Sequence, residues 1–165
     1  MQRLVVRHYL LIIFVSALLV RVGFYYLFLA NNPIVLAYDC GQYHAVAQQL
    51  ANGLGFINPD GSPHLYRLPG YPLFLALCYR LLGWGYHGAL AVQVVLASCI
   101  PVLGFYLARL LLPQVALVPY VVAGVLTIHP GLLIFSGLVM SETLSLLMFL
   151  LFLLLYVWLL QRPAQ

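Results

Sequence analysis

The sequence predicts an all-α integral membrane protein with about four transmembrane helices, an interfacial helix, and a short re-entrant or juxtamembrane helix in the first outer loop. Three observations predict it. Of 165 residues, 65% are hydrophobic and only 6% are charged, whereas a water-facing surface needs roughly 25%. The apolar residues fall into uncharged runs of bilayer length. With four such runs crossing, the three carboxylates all fall on one side. Disordered chains are polar and highly charged, so disorder is excluded. The net charge of +4 comes with no basic stripe or tail, so nucleic acid is not an expected partner and the lipid bilayer is. Cys40, Cys78 and Cys99 form no CxxC pair, which reads as apolar filling rather than a metal or disulfide framework. The whole of 1–165 reads as a single membrane domain.

Each element follows from local chemistry. Arg3, Arg7 and His8 precede an apolar run from Tyr9 to Ala30, about 33 Å of helix, enough for a hydrocarbon core of about 30 Å. No clean small-x-small cleavage site is present, so this is an uncleaved signal anchor. Arg21 interrupts the run. It either snorkels to the outer headgroups or faces a polar cavity. Asn31, Asn32 and Pro33 end the helix. Gly41 to Gly53 reads as a short amphipathic interfacial helix with Asp39 as its N-cap and Gly53 at the C′ position. Gly55 to Pro63 is turn-rich, and Asp60 belongs to its Asn58-Pro59-Asp60-Gly61 turn. Gly70 to Leu82 is apolar but too short to span. Ala89 to Leu112 is a full span, and Val115 to Phe135 is another, kinked or broken at Pro130-Gly131. Leu144 to Leu160 is the last.

Charge sets the topology. With four spans, Arg3, Arg7, Arg109 and Arg162 lie inside with both termini, while Asp39, Asp60, Glu142, Arg67 and Arg80 lie outside. If Gly70–Leu82 also crossed, Arg109 and Arg162 would move outside, against the positive-inside rule. The expected location is therefore the inner or plasma membrane, multi-pass, with both termini cytoplasmic and the site on the outer face.

Few residues can carry chemistry. Asp39 caps a helix, whose N-terminus can also attract an anion. Glu142 matches the dipole at the start of the last helix or lines a site. Arg67, in Tyr66-Arg67-Leu68-Pro69-Gly70-Tyr71-Pro72, is a guanidinium on a rigid turn, suited to phosphate; its other reading is an interfacial arginine among belt tyrosines. His44, His64, His87 and His129 have no metal-ligand spacing. No cofactor is fixed by these residues, and a divalent cation is left open.

Taken in order, Asp39, Tyr43, Ala47, Leu50, Ala51, Gly53, Gly55 and Phe56, then Arg67 through Leu77, then Gly83, Gln93, Pro130, Ser136 and Ser141-Glu142-Thr143-Leu144 form a pattern. It resembles the N-terminal part of the polytopic GT-C glycosyltransferases, most like the bacterial family 39 and family 83 types related to protein O-mannosyltransferases and the lipid A aminoarabinose transferase. The resemblance implies a polyprenyl-phosphate-linked sugar as donor and transfer at the outer membrane face. It implies Asp39 as general base, Arg67 on the donor phosphate, and Glu142, Tyr43, His64 and Tyr71 around the substrate. Relatives are more than twice as long, so the chain reads as a fragment, a split half whose partner polypeptide supplies the missing spans, or a decayed copy, with little transfer expected from it alone. Many relatives carry a second acid where Cys40 stands. Two other classes remain: a non-catalytic membrane partner keeping the same fold, and a small transporter or flippase subunit.

Overall fold

The structure, a computed structural model, describes residues 2–83 and 85–161, with the side chains of 2–6 excepted. Arg162 and Gln165, and the side chain of Arg3, lie outside the described residues. Seven α-helices follow in order: α1 Gln2–Phe24, α2 Asp39–Ala51, α3 Gly70–Leu82, α4 Gly85–Leu111, α5 Val118–Ile128, α6 Pro130–Ser136 and α7 Glu142–Leu160. Among the described residues there is no sheet, only one isolated bridge between Ile57 and Pro63. The protein is thus an all-α, multi-pass membrane protein. Among the described residues, three helical segments are long and apolar enough to cross a bilayer: Arg7–Leu29, Gly85–Leu111 and Glu142–Leu160. The α5–α6 pair, bent by 53°, makes a fourth if it is counted as one broken span.

Ring and side-chain contacts give the path. Tyr9 meets Tyr120 at 5.8 Å and Tyr120 meets Phe105 at 5.1 Å. At the opposite end, Gly137 lies so close to Tyr25 and Leu29 that a Cβ there would strike the Leu29 side chain. So α1 and α5–α6 run side by side in one direction. α4 and α7 run back, since the Gln161 Nε2 donates to the Leu110 carbonyl at 3.1 Å. α4 sits in the middle, against α1, α3, α5 and α7. The many large apolar side chains left exposed on α1, α5 and α7 face lipid, where their exposure carries no penalty.

Pro130 explains both the bend and Arg21. Proline has no N–H, so the carbonyl of Leu126, four residues earlier, loses its helical donor. The residue before a proline is pushed out of the helical region, and His129 is extended at φ −59°, ψ 120°. The buried Arg21 reaches across from α1: its Nη2 donates to the Leu126 carbonyl at 3.2 Å, and its Nη1 to the Ala17 carbonyl at 3.2 Å. Arg21 therefore neither snorkels to headgroups nor faces a polar cavity. It fills the vacancy that Pro130 leaves.

The interfacial helix begins two residues earlier than its sequence suggests. Tyr38, with φ 50° and ψ −121°, turns the chain abruptly into α2. Asp39 is thus the first helical residue rather than the N-cap, and its charge lies in the first turn, where the helix dipole favours it. At the other end, Gly53 at φ 77° takes the left-handed position at C′. Its N–H bonds the Leu50 carbonyl and the Leu54 N–H bonds the Gln49 carbonyl, the pair of bonds that closes a Schellman motif. α2 packs on α3, and both lie with the α6–α7 turn over one end of α4.

Candidate functional site

α2 and the segment before α3 bring the two expected charges together. Arg67 is ion-paired directly with Asp39. Its Nε and Nη2 both donate to the Gln42 Oε1 at 3.3 Å, and its guanidinium carbon stands 5.3 Å from the Tyr43 ring centroid. Asp39, Gln42 and Tyr43 lie three to four residues apart or adjacent on one side of α2, so one helix face presents an acid, an amide and a ring to one arginine. The Asp39 side chain is 45% exposed and that of Arg67 27%. Both are reachable, so another anion can compete for the fork.

Arg67 and Tyr43 lead into a cleft of about 490 Å³. Tyr66, Leu68, Gly70 and Tyr71 form one side, and Ser141, Leu144, Ser145 and Met148 from the start of α7 form the other. One end is polar and the α7 wall is apolar. Tyr43 is fixed here by a hydrogen bond between its hydroxyl and the Ser141 Oγ, 3.3 Å, and by an edge-to-face contact with Tyr71 at 5.0 Å.

Tyr71 is held in turn from below. Its hydroxyl donates to the Gln93 Oε1 at 2.7 Å, and the Gln93 Nε2 donates to the carbonyls of Phe135, Ser136 and Leu138. Gln93 is fully buried. One amide thus ties α3, α4 and the α6–α7 turn together and leaves its own polar atoms satisfied. Burial raises the Tyr71 phenol well above its ordinary value, and the nearby Tyr79, Cys40, Glu142 and Tyr43 groups add to this. The phenol therefore stays protonated and remains a donor.

The other expected residues are placed around this cleft rather than in it. Glu142 opens α7 one residue after the lining Ser141, with its Oε2 buried and without a hydrogen-bond partner. Cys40 is buried behind Asp39, and burial is the main cause raising its thiol, with Glu142 and Asp39 contributing. A carboxylate in place of Cys40 would be buried within the field of Glu142, a poor exchange for a small apolar side chain. His64 is buried outside the cleft lining. Its Nδ1 is 2.7 Å from the Asn58 Oδ1, and its ring stacks edgewise on Phe56 and on Tyr66, which does line the cleft. Asp60 stays in its turn, accepting from the Ser62 N–H and hydroxyl, bonds that hold its carboxyl below the usual range. Among the described residues, no three His, Cys, Asp or Glu side chains converge on a point where a metal ion could sit.

Sequence reasoning did not single out Gln42 for the cleft, and reached Ser141 and Gln93 only as parts of an ordered pattern. Gln93 carried a usable signal: an amide alone in an apolar helix must find partners. Compared with known proteins, the chain matches no family model, no curated protein and no solved structure. Fold and site together define a multi-pass α-helical membrane protein that carries an acid–guanidinium pair at the mouth of a half-apolar cleft.

Proposed function

We propose that this protein is a membrane glycosyltransferase component that binds a polyprenyl-phosphate-linked sugar and presents it for transfer to an acceptor hydroxyl at the outer membrane face. The observation that carries this reading is the contact of Arg67 with Asp39 at the mouth of a cleft walled on one side by Leu144 and Met148. A lipid-linked phosphosugar needs a cation for its phosphate, a base for the incoming hydroxyl and an apolar wall for its tail. In transfer, Asp39 takes the acceptor proton as the new bond forms at the anomeric carbon. The bond from that carbon to the phosphate oxygen breaks, and Arg67 holds the departing phosphate. The phosphate competes with Asp39 for the guanidinium on binding, which frees the carboxylate as the substrate arrives.

A transporter reading has less support. Ser98, in the middle of α4, spends its hydroxyl on the Val94 carbonyl, and Gln93 is fully engaged. No polar path through the bundle is left from these residues.

The binding step tests the reading. Full-length chain in nanodiscs should retain a polyprenyl-phosphate sugar in native mass spectrometry, and Arg67→Gln should reduce retention about tenfold or more, as loss of a charge-assisted bidentate contact would. Equal retention by wild type and Arg67→Gln would remove the donor site from this cleft.

A further inference from the structure

A second polar pocket lies on the opposite side of α2. It measures about 350 Å³ and is lined by His44 and Gln48 of α2, Asn52 at that helix's C-cap, Tyr79 and Arg80 of α3, and Gly85 at the start of α4. The spacing of 44, 48 and 52 places these residues on one helical stripe, separate from the stripe that holds Asp39 and Tyr43. The His44 Nδ1 is engaged with the Tyr79 hydroxyl at 2.9 Å, and its ring stands edge-on to Tyr79 and Tyr86. The imidazole is thus held in place with its other nitrogen still to be satisfied. Gln48 and Asn52 add amide donors. Gly85 begins a 27-residue helix whose first N–H groups have no intrahelical acceptor.

The charge balance of this pocket is one-sided. Arg80 has no hydrogen bond, ion pair or ring contact among the described residues, and the chain has only three carboxylates. Asp39 is taken by Arg67, Asp60 by Ser62, and Glu142 lies beside Cys40 and Tyr71. None of the three lines this pocket. Arg80 lies in the last turn of α3, where the helix dipole favours a cation, and its exposed guanidinium is open to an anion from outside the chain. Arg80 also adjoins an apolar stripe of α3, Leu73, Leu77 and Leu81, exposed by 52%, 57% and 73%. That stripe is a lipid-facing surface running up to the pocket.

We propose that this pocket is an anion site for a phosphate group, with Arg80 as its cation and His44, Gln48 and Asn52 as donors, independent of the Asp39–Arg67 cleft. A guanidinium fork with flanking donors matches phosphate geometry. The apolar stripe beside it suits the acyl chains of a phospholipid whose headgroup carries that phosphate.

Two arms separate a headgroup from free phosphate. In the first, detergent-solubilised full chain is titrated with inorganic phosphate and followed by thermal unfolding. In the second, the chain is placed in nanodiscs of phosphatidylcholine alone or with one-third phosphatidylglycerol, and the lipids retained on release are counted by native mass spectrometry. Wild type should show a saturable stabilisation or a retained phosphatidylglycerol, and Arg80→Gln should weaken that binding about tenfold or more. Arg80→Lys, which keeps the charge and loses the fork, should fall between. Because Arg80 is exposed and unpaired, Arg80→Gln should unfold at the wild-type temperature without ligand. An Arg80-dependent signal in the phosphatidylglycerol arm alone assigns a lipid headgroup; one in the inorganic phosphate arm alone assigns free phosphate. The Arg67→Gln variant should keep the Arg80-dependent signal intact. Arg80→Gln matching wild type in both arms would overturn the proposal, and would leave the reading of the first cleft untouched.

Discussion

The two sides of α2 face the same end of the bundle, yet they are built on opposite electrostatic plans. On one side Arg67 meets an internal carboxylate, an amide and an aromatic face, and the phosphate proposed for it must displace Asp39. On the other side Arg80 stands with neutral donors only. Under the proposed function the paired arginine sits where a proton is moved, because the carboxylate that neutralises it at rest would become free when a phosphate arrives. At the proposed phosphate site the lone arginine would need only to hold an anion. One thirteen-residue helix thereby separates a site suited to chemistry from one suited to anchoring.

The largest test of that contrast is Asp39→Asn. An amide cannot take a proton, so transfer in native membranes, followed with a radiolabelled polyprenyl-phosphate sugar, should fall about 10²–10⁴-fold. Helix α2 should persist, because Asp39 is a half-exposed first-turn residue rather than the cap, so the change removes only a dipole match from the helix. Unchanged transfer would mean the base lies elsewhere. A next, structural test is Gln93→Leu. It leaves the Tyr71 hydroxyl and three backbone carbonyls without their partner, and should cost at least about 2 kcal/mol of stability, since each orphaned buried group costs about 1–3 kcal/mol. Thermal unfolding in detergent reads this. A loss confined to a few tenths would mean that water replaces the amide. The cleft side should suffer first, because Tyr43 rests on Tyr71, while the Arg80 side does not touch Gln93.

Arg67→Lys is expected to be milder than Asp39→Asn. The charge stays, the two contacts to the Gln42 Oε1 and the stacking on Tyr43 are lost, and donor retention should drop less than in Arg67→Gln. The smallest expected effect is in pH. Burial lowers the His44 imidazole below its ordinary value, so the unfolded chain binds that proton more readily than the folded one. Stability should therefore decline as pH falls through about 6.5 toward the lowered folded value. Asp60, held low by Ser62, contributes above the ordinary carboxylate range and loses its contribution only at more acid pH. Between pH 7 and 5 the His44 side should loosen while the Asp60 turn holds. His44→Gln should flatten that slope in unfolding measurements; a slope that persists would place the sensitive group elsewhere.

How much of this was legible beforehand depends on the kind of information each feature needs. The membrane class, the number of traverses, the short α3 and the break at Pro130 are properties of composition, run length and backbone chemistry. They act locally, and local chemistry is written in the sequence. Gly53 as the left-handed end of α2 is of the same kind. The start of α2 was displaced because the turn at Tyr38 is made by an aromatic residue in a conformation that no local propensity favours.

The partners of the polar residues were a different matter. The resemblance put Asp39 and Arg67 at one substrate, but that they would pair with each other, and that Arg21 would fill the carbonyl vacated by Pro130, required residues 28 and 105 positions apart in the chain to become neighbours. So did the choice of Gln93 as the clamp beneath Tyr71. In a lipid-facing protein the hydrophobic pattern says which segments cross but is nearly silent on which faces meet, because lipid solvates an apolar face as well as a neighbouring helix does. Sequence alone therefore determined what crosses the membrane and where the backbone must bend. Only the tertiary structure decided which buried polar groups satisfy one another, and that pairing is what separates an occupied arginine from an open one.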